Sequence, residues 1–533
     1  MKKYFKIIQK ELILFVFLTF LSYFFYALIP YFTKLLFEGQ YLTAIIGYTG
    51  SLSLFVILAY FGNITQTKYK LNFDKALKKD YFSKVTKLKY EEFSEKKVGE
   101  YISFQANDIA EIGNDYLNPM MAIITQSVRV LTVFVVIAVT LDIKVSLILI
   151  CISLIGVLLP KSFGKETAKR RTSYLQHQKK YYSKIEEIFN GFKIINSRTR
   201  RNINDEHNKS LIEISNERYK YGKANGLMWA LNGLGSESVN YVVFLYLGYL
   251  TFLGNITVGF AIATFQYAQG LMEPVHEILY YQSLINSSKE LVKSYFDFIN
   301  TDQQEKEKNV IKDFQSISVS KLNKNYETFC LRNINLKIEK NKKYALIGLN
   351  GSGKSTFLNI LASHLTNFEG SIKVDGNELN EIEESFLIGS IDQEEYIFSD
   401  DFMENTTVFD SYESLTDNIF IEDAKTFINQ QNCSVLSGGE KQILGLIRLV
   451  NKNTPILLLD EPVSAIDANK KEVITRKILS LNKTILMITH KIDLNLRDFD
   501  EIILFNKGEL LYKLPYDQIL RKKEFIAFKN NIE

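Results

Sequence analysis

The sequence predicts a membrane protein: a six-helix α-helical transmembrane domain, then an α/β domain built on a phosphate-binding loop and carrying a helical subdomain. Three observations predict it. Long apolar runs recur from about residue 12 to residue 278 and do not recur beyond. Lysine and arginine crowd alternate connections between those runs. Past them stands Gly348 to Thr356, reading GLNGSGKST, between a short apolar run and an apolar helical pattern. With 533 residues there is room for two or more domains. A net charge of +4 is too small to argue for a nucleic-acid partner. Cys151, Cys330 and Cys433 lie far apart without metal spacing and read as reduced, structural thiols. Seven prolines in the whole chain suit long helices.

Met1 to Lys10 carries Lys2, Lys3, Lys6 and Lys10 ahead of an apolar segment from Leu12 to Leu36. A basic start before an apolar run can mark a signal peptide. Here no small-residue cleavage pattern interrupts the run, which is long enough to cross a bilayer. It reads as an uncleaved first span, with Pro30 as a possible kink. A second span fits Leu42 to Ile64, followed by a lysine-rich polar helical region reaching about Asn118. The third span fits Met120 to Leu141 and the fourth Val145 to Leu159, joined by a few residues. A second polar helical region runs from the basic Lys161–Arg171 stretch to about Asn225. The fifth span fits Leu227 to Leu253, and the sixth Ile256 to about Ile278, with Pro274 near its inner end. The positive-inside rule then places both termini in the cytoplasm. Buried core helices of a soluble protein would not show six such runs with this charge alternation.

Residues 1–300 therefore read as the membrane domain, 301–308 as a charged linker and 309–533 as the nucleotide-binding domain. In the last, Gly348, Gly353, Lys354 and Ser355 fit G-x-x-x-x-G-K-[ST]. Tyr344 to Ile347 before it reads as a buried strand; Phe357, Leu358, Ile360 and Leu361 after it read as a helix face. Backbone N–H groups of such a loop cradle phosphate oxygens, helped by the helix N-terminus. Lys354 reaches the β- and γ-phosphates and Ser355 is suited to Mg²⁺. A second apolar strand, Ile456 to Leu459, ends in Asp460 and Glu461. That order puts Asp460 beside the Mg²⁺ and Glu461 near the γ-phosphate, where it can polarise water; alone, it is equally an ordinary core strand reaching solvent. Leu436 to Gln442, reading LSGGEKQ, offers a second helix N-terminus for an anion, though SGG alone is also a simple glycine turn.

Taken in order, these motifs closely resemble the ATP-binding cassette (ABC) family. GLNGSGKST, with Asn350, Gly351, Ser352, Gly353, Lys354, Ser355 and Thr356, resembles its Walker A loop. LSGGEKQ, with Ser437, Gly438 and Gly439, resembles its signature, and ILLLDE its Walker B strand. Asp467 in SAID resembles the D-loop aspartate, Gln393 the Q-loop glutamine and His490 the switch histidine. Tyr326 is the candidate to stack on adenine, with Phe329 as rival. The first half resembles the family's exporter membrane domain. Val98-Gly99-Glu100 with Asn107-Asp108 is similar to the surroundings of its first coupling helix, and Thr257-Val258-Gly259 with Phe265 and Pro274 to its sixth span. Two departures stand out. The segment from Gln393 to Leu436 is short, and Gln430 to Cys433 replaces the acidic, glycine-containing stretch usual before the signature.

The resemblance implies a half-transporter that uses ATP and Mg²⁺ to export a cargo across the cytoplasmic membrane. ATP would sit between the Walker A loop of one chain and the signature of another, so a dimer is implied, homodimer or heterodimer. By the same resemblance Glu461 is the catalytic base, Gln393 senses Mg²⁺, His490 holds the γ-phosphate and Asp467 organises the partner's site. Small peptides, lipids and amphipathic drugs all remain open as cargo, with a lean towards a peptide or other amphipathic molecule. The resemblance leaves no room for a peptidase-like domain before the first span, so a peptide cargo's leader would be removed elsewhere or would never have existed. Two rival classes are a soluble cassette ATPase and an ATP-gated channel on the same fold.

Arg129 lies near the middle of the third span and Glu237 within the fifth. Ionisable groups at bilayer depth cost roughly 2.5–3.5 kcal/mol on insertion scales. Two readings stand: both line the cargo cavity, as an ion pair or as cargo contacts, or both sit nearer the cytoplasmic interface and snorkel.

Overall fold

Apolar runs of bilayer length continue without a break into amphipathic stems, so the helices outrun the membrane. The computed structural model describes residues 1–141, 143–144, 147–148, 164–301, 308–326, 329–414, 417–489 and 496–530. Its long helices are Gln9–Phe37, Tyr41–Val85, Asn118–Thr140, Gly164–Asn190, Arg200–Phe252 and Val258–Asn300. At 1.5 Å per residue the 45-residue Tyr41–Val85 helix is about 68 Å long, against about 30 Å of bilayer hydrocarbon. The expected fourth span falls almost wholly outside the described residues, as do residues 302–307 of the expected linker. The chain divides into two units: Met1–Lys87 with Lys96–Thr301, and Leu88–Glu95 with Asp302–Glu533.

In the first unit, Tyr69, Phe73, Leu77 and Tyr81 recur every fourth residue and are buried, which is the one-face spacing of a helix. The basic start folds onto that stripe as a short helix, Lys2–Ile7. Tyr4 donates to Asp80 at 2.7 Å, and its hydroxyl lies 3.0 Å from that of Tyr295, which donates to the Leu77 carbonyl at 3.0 Å. Among the spans, Ala27, Val133, Ile137, Val243, Leu247, Ala263 and Leu271 share one core, closed by a Tyr267 hydroxyl donating to the Ala27 carbonyl at 2.8 Å. The Val258–Asn300 helix comes close to the Gln9–Phe37 helix at Gly259, where a Cβ would lie 2.7 Å from the Lys34 carbonyl oxygen.

Among the described residues the second unit holds two sheets. One is antiparallel, from β1 (Ser316–Asn325), β2 (Cys330–Glu339), β4 (Glu369–Val374) and β5 (Asn377–Glu378), in the order β2-β1-β4-β5. The other comprises β3 (Lys343–Ile347), β6 (Ile388–Ile391), β7 (Ile456–Asp460), β8 (Thr484–Ile488), β9 (Glu501–Asn506) and β10 (Glu509–Leu514), in the order β10-β9-β3-β8-β7-β6. It is parallel except at β10. Alternation along β3 sends Tyr344 and Leu346 to one face and Ala345 and Ile347 to the other. The first face packs against the helix Lys354–Leu361; the second packs against Gly438–Lys452 and Ala468–Ser480.

The short segment before the signature is a small, well-tied subdomain. Asn405 is fully buried; its amide donates to the carbonyls of Phe398, Asp400 and Asp401 and its side-chain oxygen accepts from Phe398 N–H. Arg448, from the Gly438–Lys452 helix, reaches the carbonyls of Asn405 and Tyr396. Asn432 caps a 3-10 turn, Cys433–Val435, that buries Cys433.

Residues 88–95 follow the Tyr41–Val85 stem in the chain yet pack with the second unit. Glu91, on the short helix Tyr90–Ser94, accepts from Lys324 Nζ at 2.9 Å, from Thr366 N at 2.8 Å and Oγ1 at 2.9 Å, and from Asn367 N at 3.0 Å. Burial alone would raise this carboxyl, but those hydrogen bonds outweigh it and hold it at about 2. A carboxyl depressed from its ordinary 4.5 contributes its full stabilisation above that pH and loses it as pH falls towards 2. In hydrogen-exchange mass spectrometry, corrected for intrinsic rates, the Thr366 and Asn367 amides should lose protection progressively in the native chain as pH falls from 4.5 towards 2, and in Glu91→Gln already at pH 7. Unchanged protection in both would show that the contact does not depend on the Glu91 charge.

Candidate functional site

The phosphate-binding loop leaves the end of β3, the position where parallel sheets of this kind bind ligands. Its glycines are required by space as well as by dihedral angle. Gly353 has φ 104°, and a Cβ there would lie 2.5 Å from Leu331 and 2.9 Å from Phe329. At Gly348, φ 150°, it would meet the Phe505 carbonyl at 2.3 Å. Lys354 opens the following helix and is 4% exposed. Its ammonium donates to the carbonyls of Gly348 and Leu349 at 2.9 and 3.0 Å, so it is held over its own loop. Burial pushes its pKa below the ordinary range, while Asp460 and Glu461 pull the other way. Ser355 is exposed at the first turn.

Ser355, Ser390, Asp392 and Asp460 line one small cavity between the loop helix and the ends of β6 and β7. Hydroxyl and carboxylate oxygens are the donors a small hard cation takes, so the residues fit Mg²⁺. Glu461 follows β7 with φ 50°, in the left-handed region that few non-glycine residues adopt. The Gln393 amide donates to Glu461 Oε2 at 3.4 Å. Gln393 is thus brought to the candidate base.

Ser437 and the signature glycines begin the Gly438–Lys452 helix. Ser437 forms a capping box with Glu440: its N–H and hydroxyl donate to Glu440 Oε2 at 2.9 and 2.7 Å, and its hydroxyl accepts from Glu440 N–H. A Cβ on Gly439 would lie 3.0 Å from the Ala465 carbonyl, so the glycine permits contact with the Ser464–Asp467 loop. That contact is fixed by Gln442, which sequence reasoning passed over. Its amide donates to Ser464 Oγ at 2.8 Å and accepts from Ala465 N at 2.9 Å. A Gln three positions before a helix's midpoint carries no signal; only the fold shows what it reaches. Gln442→Leu leaves two groups unpaired, at about 1–3 kcal/mol. ATP turnover should fall about 10–100-fold through misplacement of the signature, with ATP affinity little changed. An ATPase titration in nanodiscs showing native turnover would remove Gln442 from this role. Asp467 stands at the N-cap of Ala468–Ser480.

Of the other expected residues, His490 lies outside the described residues. Tyr326 is 45% exposed with its ring 6.4 Å from that of Phe329, while Phe329 lies against Gly353. In the first unit Arg129 is brought to Glu273 of the Val258–Asn300 helix, Nη1 to Oε2 3.2 Å, rather than to Glu237, which is exposed. An Arg129–Glu237 ion pair is therefore not what this fold makes.

The ABC transporter family model matches residues 331–464, and the ABC transporter transmembrane region matches residues 12–275. The chain is 26% identical over 495 residues to the multidrug resistance-like ATP-binding protein MdlB of Buchnera aphidicola subsp. Acyrthosiphon pisum, covering 88% of this chain and 84% of that one. It is 27% identical over 299 residues to the ATP-dependent lipid A-core flippase of Escherichia coli (strain K12), covering 52% and 51%. The structure of a bacterial Atm1-family ABC exporter with ATP bound superimposes with a TM-score of 0.82 at 16% identity, over 99% of this chain and 98% of that one.

Proposed function

The chain belongs to the ABC transporter family, and from that premise we propose that it is a half-transporter exporting a small peptide, lipid or other amphipathic molecule by alternating access in a dimer. It is an ATP hydrolase coupled to transmembrane transport. The observation that carries the dimeric reading is the split of the cassette across its sheet. The Lys354–Leu361 helix packs on one face and the Gly438–Lys452 helix on the other. One cassette thus offers a phosphate cradle and a signature in separate places, and a second chain brings them together. The charge pattern supports cytoplasmic termini and a cytoplasmic cassette in the cell membrane.

In this reading the loop N–H groups take the phosphates, and Lys354 exchanges its two carbonyl contacts for phosphate oxygens. Ser355 and Asp460 would hold Mg²⁺, whose charge offsets that of the phosphates. Glu461 takes the proton of the attacking water, and Gln393 orients its carboxylate. His490 contacts the γ-phosphate, Asp467 orders the partner's site, and Tyr326 stacks on adenine. Closure of two cassettes on ATP then favours an outward-facing membrane unit, and hydrolysis resets it. The competing reading, an ATP-gated channel, makes a different demand in inside-out vesicles. A pump accumulates cargo against its gradient only with hydrolysable ATP; equilibration without accumulation would exclude export.

A further inference from the structure

Three long helices of the first unit converge on one polar cluster. From the Asn118–Thr140 helix come Gln126 and Arg129, from the Val258–Asn300 helix Glu273 and Glu277, and from the Gln9–Phe37 helix Tyr23 and Tyr26. Each pair is three or four residues apart, so each shares one helix face. Arg129 binds Glu273, and its guanidinium carbon lies 5.6 and 5.8 Å from the ring centres of Tyr23 and Tyr26. Gln126 donates its amide to Glu277. The charges do not cancel, since two carboxylates face one guanidinium.

Exposure decides which charge a cargo meets. The Arg129 side chain is 12% exposed, covered by two tyrosine rings, whereas the Glu273 side chain is 64% exposed. The buried guanidinium is closed to an anion; the open group is a carboxylate. Among the described residues the Gln126 side-chain oxygen, on a side chain 9% exposed, and Arg129 Nε are both buried without a hydrogen-bond partner. Buried polar groups without partners are costly and mark a place where a ligand could supply them. The cluster therefore presents an open carboxylate and an excess of negative charge, with aromatic faces alongside.

We propose that this cluster is the cargo-recognition site and that it takes an organic cation with an apolar body, with Glu273 and Glu277 supplying the counter-charge. This rests on the export reading, and it sets the chain apart from transporters whose cargo is a phosphorylated, anionic lipid. Tetraphenylphosphonium and tetraphenylborate are nearly equal in size and opposite in charge, which makes them the discriminating probes. Equilibrium binding to the nucleotide-free, full-length chain in nanodiscs is read first. The phosphonium should bind and the borate should not. The double variant Glu273→Gln/Glu277→Gln should weaken phosphonium binding about tenfold or more, with Glu273→Gln alone in between. A native thermal transition for each variant checks folding, and Glu273→Asp, which keeps the charge, should restore binding. Equal binding of both probes, or undiminished phosphonium binding by a folded double variant, overturns the site. Charge-selective binding without ATP-driven phosphonium accumulation in vesicles would leave the site standing and count against export.

Discussion

Glu461→Gln is expected to keep ATP binding intact while lowering turnover roughly 10²–10⁴-fold, the contribution of a positioned general base. The substitution is close to isosteric, and its remaining carbonyl oxygen can still accept from Gln393, which now donates to Glu461 at 3.4 Å. The backbone there, at φ 50°, is no worse for glutamine than for glutamate. Only the ability to accept a proton is removed. Single-turnover hydrolysis and equilibrium ATP binding on the same preparation separate the two effects. Near-native hydrolysis, with contaminating activity excluded, would show that another group is the base. Loss of binding would show that Glu461 holds nucleotide rather than water.

What the sequence disclosed and what it withheld differ by range. The loop was readable because its chemistry is local: glycines, a lysine and a hydroxyl in nine consecutive residues, with flanking periodicities that name a strand and a helix. The polar helical regions were readable for the same reason. Partners across helices were not. Arg129 and Glu273 lie 144 residues apart, and depth in separate spans cannot say which of two glutamates an arginine meets. Glu237 was chosen for its depth; Glu273 drew no notice beside Pro274, near an expected span end where charge is ordinary. Gln442 and Glu91 were missed because each acts by reaching another segment, Ser464 and Ala465 in one case, Lys324, Thr366 and Asn367 in the other. The surroundings of the first coupling helix were sought at Val98 to Asp108, while the segment that packs with the cassette is Leu88–Glu95, just before.

Mixing two inactive chains should restore activity. Lys354→Ala removes the ammonium that the loop holds in place for phosphate, so nucleotide affinity is lost. Ser437→Arg destroys the capping box and puts a long cation where the signature must approach a partner's ATP. If each site takes its cradle from one chain and its signature from the other, a homodimer of either variant has no working site. A mixed dimer has one site with both lesions and one with neither. Random exchange makes half the dimers mixed, so activity should return to about a quarter of the native value, given independent sites. The helices that follow the phosphate loop and the signature pack on opposite faces of the cassette sheet. Rescue near that level supports a homodimer with shared sites. No rescue, with subunit exchange verified by differently tagged chains, would mean that the sites are not shared between two copies of this chain.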